Sequence, residues 1–291
     1  MKTKFFFGII TVSLLTSCET VITYEYESST GPSDMEFNAT TESNPQTRTV
    51  LSDYADGNGC YSLYWTKGDV ISLSDGTNTA LFETESDNKS SGIFSRKEGS
   101  IDNQAAVYTA FYPSAITTTN MKLPVNQNYV VKNVEGFPMR AVSTNKDLEF
   151  KNLCGIIRLS LKTEEMASLS ITKISLSADN LGMSGTFTID DDNAAVVKGT
   201  NGVVLNCSEP VSLFKSVATD FNIIVPKGDY SPLKVKIFNS DGKEVNLIST
   251  DAIRVKRSEI TNISLTLKAS SFDSSLEIIP ITDSDVEFTE R

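Results

Sequence analysis

Ile157-Arg158-Leu159-Ser160-Leu161-Lys162 alternates apolar and polar side chains without a break. Successive side chains of a strand point to opposite faces, so this stretch reads as half-buried β-structure with Ile157, Leu159 and Leu161 facing a core. The same period of two recurs on both sides. Met35-Glu36-Phe37-Asn38-Ala39 carries it, as do Leu233-Lys234-Val235-Lys236-Ile237 and Ile263-Ser264-Leu265-Thr266-Leu267-Lys268. Asp75-Gly76 lies between Val70-Ile71-Ser72-Leu73 and Ala80-Leu81-Phe82, and predicts a tight hairpin with both central residues at positive φ. Asp241-Gly242 turns Leu233–Ile237 back towards Val245-Asn246-Leu247, and Ala106 to Tyr112 reads as a strand ended by Pro113. No window of about eleven residues carries a helical period, and Glu164 to Ala167 allows one turn at most.

The fold class is therefore all-β. Short strands with turn signals every eight to twelve residues or so belong to sandwiches or barrels. A chain of 291 residues is long for one simple sandwich, which predicts two in series. The polar break Thr163-Glu164-Glu165 follows a complete strand and precedes the apolar run Leu169-Ser170-Ile171, placing the domains at 34–163 and 164–291.

The N-terminus is a different kind of sequence. Lys2 and Lys4 precede an apolar run from Phe5 to Leu15, which ends in Leu15-Thr16-Ser17-Cys18. A basic start, a short apolar segment and small residues before a cut describe a secretory signal peptide over residues 1–17. The run is too short for a membrane-spanning helix, which needs roughly twenty apolar residues. Cys18 directly after the small pair matches a bacterial lipobox and predicts a lipid on its thiol. Residues 18–33 then read as a flexible tether, and the polar stretch Thr40 to Thr47 as a loop with Arg48 at its end.

Composition narrows the function. The net charge of −11 argues against nucleic acid as a partner, because phosphate neutralisation needs clustered Lys and Arg. Histidine is absent, which removes Ser-His-Asp and Cys-His nucleophile systems and most zinc sites. No catalytic residue, metal or cofactor is expected. Cys60, Cys154 and Cys207 are an odd set with no CxxC pair, so a complete disulfide framework is not expected; Cys154 reads as a small buried hydrophobe and a Cys60–Cys207 bridge stays open. Trp65 beside a predicted strand reads as core, with a sugar-stacking platform as the alternative. Asp190-Asp191-Asp192-Asn193 lacks the spacing and glycine of an EF-hand loop and reads as a solvated turn. Arg254-Val255-Lys256-Arg257 reads as a basic guard on a strand edge.

Several short motifs follow in order along the mature chain: Thr47-Arg48-Thr49; Trp65-Thr66-Lys67-Gly68-Asp69-Val70-Ile71; Ala110-Phe111-Tyr112-Pro113; Leu123-Pro124; Pro138-Met139; Phe150-Lys151-Asn152-Leu153-Cys154-Gly155; and Ile223-Ile224-Val225-Pro226. In this order after a lipobox, they resemble the fimbrillin family, the lipoprotein-derived pilins of type V surface fimbriae. The resemblance implies two transthyretin-like β-sandwich domains in series and assembly by donor-strand exchange. It implies a lipoprotein precursor exposed at the cell surface on the outer membrane, and release into a fimbrium after processing. Carried onto this chain, the strand with Met35, Phe37 and Ala39 would be removable, and Arg48–Thr49 the proteolytic cut. Leu276, Ile278 and Ile281 would belong to the donor strand, broken into two pieces around Pro280. Arg48 reads equally as an ordinary loop residue. The implied partners are other fimbrial subunits in a homo- or hetero-polymer, the outer membrane through the lipid on Cys18, and a receptor on host or bacterial surfaces. The alternative is a non-polymerising surface lipoprotein that binds glycan or another macromolecule.

Overall fold

Each alternating stretch forms a strand, and its apolar set faces a core. The computed structural model describes residues 35–42, 64–131, 133–165, 169–199, 202–273 and 278–288, all within one compact unit. The signal peptide, the tether with Cys18, the Arg48–Thr49 site, Cys60 and Leu276 lie outside the described residues.

The first nine strands are β1 (Glu36–Thr41), β2 (Val70–Ser74), β3 (Thr79–Thr84), β4 (Ser91–Glu98), β5 (Tyr108–Tyr112), β6 (Lys122–Leu123), β7 (Asn126–Asn128), β8 (Met139–Ser143) and β9 (Asp147–Asn152). Seven of them close into a barrel in the order β1-β4-β3-β2-β5-β8-β9. Its ladder is antiparallel except where β1 runs parallel to β9. Phe37, Trp65, Phe82, Phe94, Tyr108 and Phe150 fill the interior. The ladder is continuous because β1 pairs with a different strand on each of its edges.

The remaining strands are β10 (Gly155–Thr163), β11 (Leu169–Ala178), β12 (Gly185–Ile189), β13 (Ala195–Val197), β14 (Val203–Leu213), β15 (Thr219–Val225), β16 (Gly228–Tyr230), β17 (Leu233–Asn239), β18 (Glu244–Ser249), β19 (Ile253–Val255), β20 (Ile260–Leu267), β21 (Ile278–Ile281) and β22 (Val286–Phe288). The sheets β15-β10-β20-β22 and β21-β18-β17-β11-β14-β7 share a second core. β10, which precedes the polar break at Thr163 to Glu165, pairs with β15 and β20 and so lies in this second assembly. Two small sheets, β13-β12-β6 and β16-β19, complete the structure. Among the described residues the only helical elements are 3-10 turns at Ala269–Phe272 and Asp283–Asp285.

The alternation fails where β10 and β15 begin and end, and the structure supplies the reason. Ile157 and Ile223 face the second core, while their neighbours Ile156 and Ile224 face the first. A strand buried on both faces needs no polar positions, so Ile156-Ile157 and Ile223-Ile224-Val225 read as continuous apolar runs.

The turn at Asp75-Gly76 is not the two-residue hairpin expected. Residues 75–78 form a four-residue loop in which Gly76 has φ of +92° and Asp75 stays out of the left-handed region. Asp75 acts instead through its carboxylate, which accepts the N–H groups of Thr77 and Asn78 and, from across the surface, that of Asp102. These three donors hold its pKa down to about 2.

Gly155 opens β10 at the junction of the two cores. A Cβ there would collide with the carbonyl oxygen of Lys256 and the side chain of Val255. Because the first obstacle is backbone, Gly155→Ala is expected to cost about 1–3 kcal/mol, read as a lowered denaturation midpoint with an unchanged denaturant slope.

Candidate functional site

β1 is threaded into the barrel rather than folded up from a hairpin. It pairs antiparallel with β4, Phe37 opposite Phe94, and parallel with β9, Ala39 opposite Leu148. Neither partner is its chain neighbour, so its withdrawal would undo no hairpin. Met35, Phe37, Ala39 and Thr41 alternate inwards and are buried. The Phe37 ring meets Phe82 and Tyr108 edge-to-face, with centroids 5.1 and 5.0 Å away. Glu36 and Asn38 face outwards, accepting from Ser95 Oγ at 3.1 Å and donating to Asp147 Oδ1 at 3.4 Å respectively.

Two contacts on this strand escape a reading by periodicity. Trp65 is fully buried against Phe94, Tyr112 and Phe150, and its indole Nε1 donates to the Ala39 carbonyl at 3.0 Å. The core expectation for Trp65 holds, and its rings offer no face to a sugar. The second contact is at Glu42, just past the strand. Arg257 grips its carboxylate with two nitrogens, Nη1 to Oε2 at 2.6 Å and Nη2 to Oε1 at 3.0 Å. Ser258 Oγ and the Asn152 N–H also donate to Oε2, at 3.2 and 3.0 Å. Burial alone would raise the Glu42 pKa, but the hydrogen bonds from Arg257 and the Asn152 N–H and the charges of Arg257 and Lys151 outweigh it and hold it below the usual carboxylate value. Ser258 is fully buried and adopts a left-handed φ of +64°, a conformation rare for a side chain of this type.

Arg257 thereby departs from the reading of 254–257 as an edge guard, whereas Arg254 does stand exposed on the two-stranded β16-β19 sheet. Each base of that run has its own acid: Arg254 with Asp229, Lys256 with Glu259 and Arg257 with Glu42. The signal available in the sequence was only that one basic run stands out in an acidic chain.

The C-terminal segment folds back in two short pieces on either side of a 3-10 turn. β21 adds to the edge of one sheet, parallel to β18, and β22 to the edge of the other, antiparallel to β20. Pro280 sits opposite Ile248 on the outermost strand, where its missing N–H costs no inner ladder bond. Ile281 is buried in the second core, whereas Ile278 is 60% exposed.

The other candidate residues are structural. Asp190 and Asp192 bracket a hairpin turn between β12 and β13, and the Lys227 ammonium lies within 2.8 Å of one and 2.7 Å of the other. Cys154 is fully buried and burial pushes its thiol far above the reactive range; Cys207 is a free thiol, half-buried and raised to about 11. Among the described residues no group of acidic or cysteine side chains is arranged to hold a metal ion.

No protein-family model and no curated protein matches the chain. Solved structures do. A proposed cell adhesion protein from Bacteroides ovatus is 15% identical, with 81% of this chain and 93% of that one covered and a TM-score of 0.50. A proposed cell adhesion protein from Bacteroides uniformis is 14% identical over 82% and 94% of the two chains, with a TM-score of 0.44. The tip fimbrial protein Mfa3 from Porphyromonas gingivalis, truncated at its C-terminus, is 8% identical over 80% and 95%, with a TM-score of 0.33. The chain thus shares its all-β fold with the Bacteroides ovatus protein.

Proposed function

We propose that the protein is a structural subunit or accessory component of a bacterial surface fimbria, without enzymatic activity, which assembles by protease-triggered donor-strand exchange and supports cell adhesion. The observation that carries this reading is β1, a buried strand inserted between two partners that are both remote in the chain. Its loss would expose the edges of β4 and β9 together with the pockets of Met35 and Phe37, each worth about 1.5–3 kcal/mol when filled. Unpaired edges over apolar pockets are the acceptor that strand addition needs. A filled groove is inert and an emptied one receptive, so cleavage times polymerisation.

In this reading the precursor is an outer-membrane lipoprotein anchored through Cys18 and exposed at the cell surface. The two cores are consistent with two transthyretin-like domains in series, although the strands around the first close into a barrel rather than the open two-sheet sandwich expected. Cleavage after Arg48 releases β1, and the segment from Leu276 through Ile278 and Ile281 fills the groove of another subunit. The fimbria then carries the protein to a receptor on host or bacterial surfaces. The competing reading is a non-polymerising surface lipoprotein that binds glycan or another macromolecule; the enclosed Trp65 offers such a protein no stacking face for a sugar.

Treating the mature protein with an arginine-specific protease is expected to cut after Arg48 and produce ladders of multimers. Deleting residues 276–291 is expected to abolish the ladders while Trp65 fluorescence still reports a folded first core. A chain cut at Arg48 that sheds β1 and stays monomeric would overturn the proposal.

A further inference from the structure

Two segments at opposite ends of the chain carry one pattern. Met35-Glu36-Phe37-Asn38-Ala39-Thr40-Thr41-Glu42 and Leu276-Glu277-Ile278-Ile279-Pro280-Ile281-Thr282-Asp283 share an apolar first and third residue, glutamate second, threonine seventh and an acid eighth. In the first segment the structure gives these positions distinct tasks. Residues 35, 37, 39 and 41 point into the barrel, and Glu42 ends in the grip of Arg257, Ser258 and the Asn152 N–H.

We propose that Arg257, Ser258 and the Asn152 N–H form a carboxylate-reading socket that selects and registers whichever strand fills the gap between β4 and β9. Its occupant is Glu42 in the single chain and Asp283 of a second copy after exchange. The inference rests on the strand-exchange reading and adds its specificity element.

The socket is built around an anion. Ser258 Oγ accepts from Arg257 Nη1 and Asn152 Nδ2, both at 3.1 Å, which leaves its own proton to point at the Glu42 carboxylate. Arg257 Nη1 also donates to the Asn152 carbonyl at 2.9 Å, which aims the guanidinium fork. With β1 gone, a mostly buried cation loses its counter-charge and keeps only the neutral Asn152 carbonyl and Ser258 Oγ, while the Ser258 hydroxyl and the Asn152 N–H lose the carboxylate they donate to. A strand without an acid at the eighth position would leave them unmet, which disfavours the wrong partner rather than merely failing to favour it. Register follows from the same feature. A slip of one residue would turn Glu277, Ile279 and Ile281 inwards in place of Leu276, Ile278 and Pro280, and would move Asp283 off the socket.

The donor leaves a sheet edge, and among its described residues from Ile278 to Asp283, Ile281 is the buried side chain it must withdraw. Ile278 and Pro280 are exposed on an edge strand, and Asp283 stands exposed at the start of a 3-10 turn. Pro280 falls at the place of Ala39. Thr41 N–H donates to Ser90, so by antiparallel alternation the Ala39 N–H is aimed at Gly92, and Pro280 forgoes that one bond. It keeps the carbonyl that Trp65 Nε1 requires.

The test uses the full chain with a specific protease site inserted in the 43–63 segment, cut but otherwise complete. Fluorescent synthetic peptides of residues 276–288 serve as probes, followed by anisotropy. The native peptide is expected to enter the cut protein, a D283N peptide to bind about 10- to 100-fold more weakly, and a P280A peptide about fivefold more tightly. Against an R257M acceptor the native and D283N peptides should bind alike. In the cut protein E42Q should speed the loss of the fragment carrying β1 by about tenfold or more. Equal binding of native and D283N peptides to the Arg257 acceptor would refute the socket while leaving strand exchange standing. Entry of neither peptide would refute exchange with this donor, and the socket's second occupant with it.

Discussion

Phe37→Ala is expected to destabilise the protein by about 3–5 kcal/mol, the cost of emptying a fully enclosed aromatic site. Phe37 has no exposed surface and reaches the barrel centre between Phe82 and Tyr108. Truncation removes its transfer free energy and two edge-to-face contacts, each of which adds about 0.5–1.5 kcal/mol beyond area. The surrounding strands are held in a closed ladder and collapse little into the void. Chemical denaturation followed by fluorescence of Trp65, the chain's one tryptophan, reads the core concerned directly. A loss below about 1 kcal/mol would mean that β1 contributes little to the barrel, and would weaken its assignment as the plug of an acceptor groove.

Glu42→Ala is expected to cost about 3 kcal/mol, because it strands the Arg257 guanidinium, whose side chain is only 22% exposed, without a counter-charge. The milder Glu42→Gln keeps the shape and removes the charge, and its effect should depend on pH. A carboxyl held below its unfolded value stabilises the fold fully above the unfolded value, about pH 4.3 for glutamate, and loses that contribution as pH falls through the folded value. The stability gap between the native protein and Glu42→Gln is therefore expected to be widest near neutral pH and to close on acidification. A gap that stays constant from neutral to strongly acid solution would show that the carboxylate is not what Arg257 holds.

Much of the fold was legible because half-buried strands write themselves in a period of two. β10, β17, β20 and β1 each lie where the alternation placed them, and Asp241-Gly242 does join β17 to β18. The errors have specific causes. The Asp75-Gly76 loop is longer than its dipeptide suggests, because Asp75 organises it through its side chain rather than its φ. β6, β7, β13, β16 and β19 have two or three residues each, too few for any period to show. The candidate site was half visible. Burial of Met35, Phe37 and Ala39 follows from their spacing, but the grip on Glu42 joins residues 215 positions apart, and neither Arg257 nor Ser258 carries a local pattern that announces it.

By itself, then, the sequence determined the all-β class, the inward face of most strands, the enclosed site of Trp65 and the absence of imidazole chemistry. Those properties depend on side-chain type and on spacings of a few residues. Tertiary packing was needed to show that β1 runs parallel to β9 and closes a barrel, that β10 contributes side chains to both cores, and that the C-terminal segment lies split over two sheet edges. Strand pairing is set by which edges and pockets remain open once everything else has packed, and that information is spread over the whole chain.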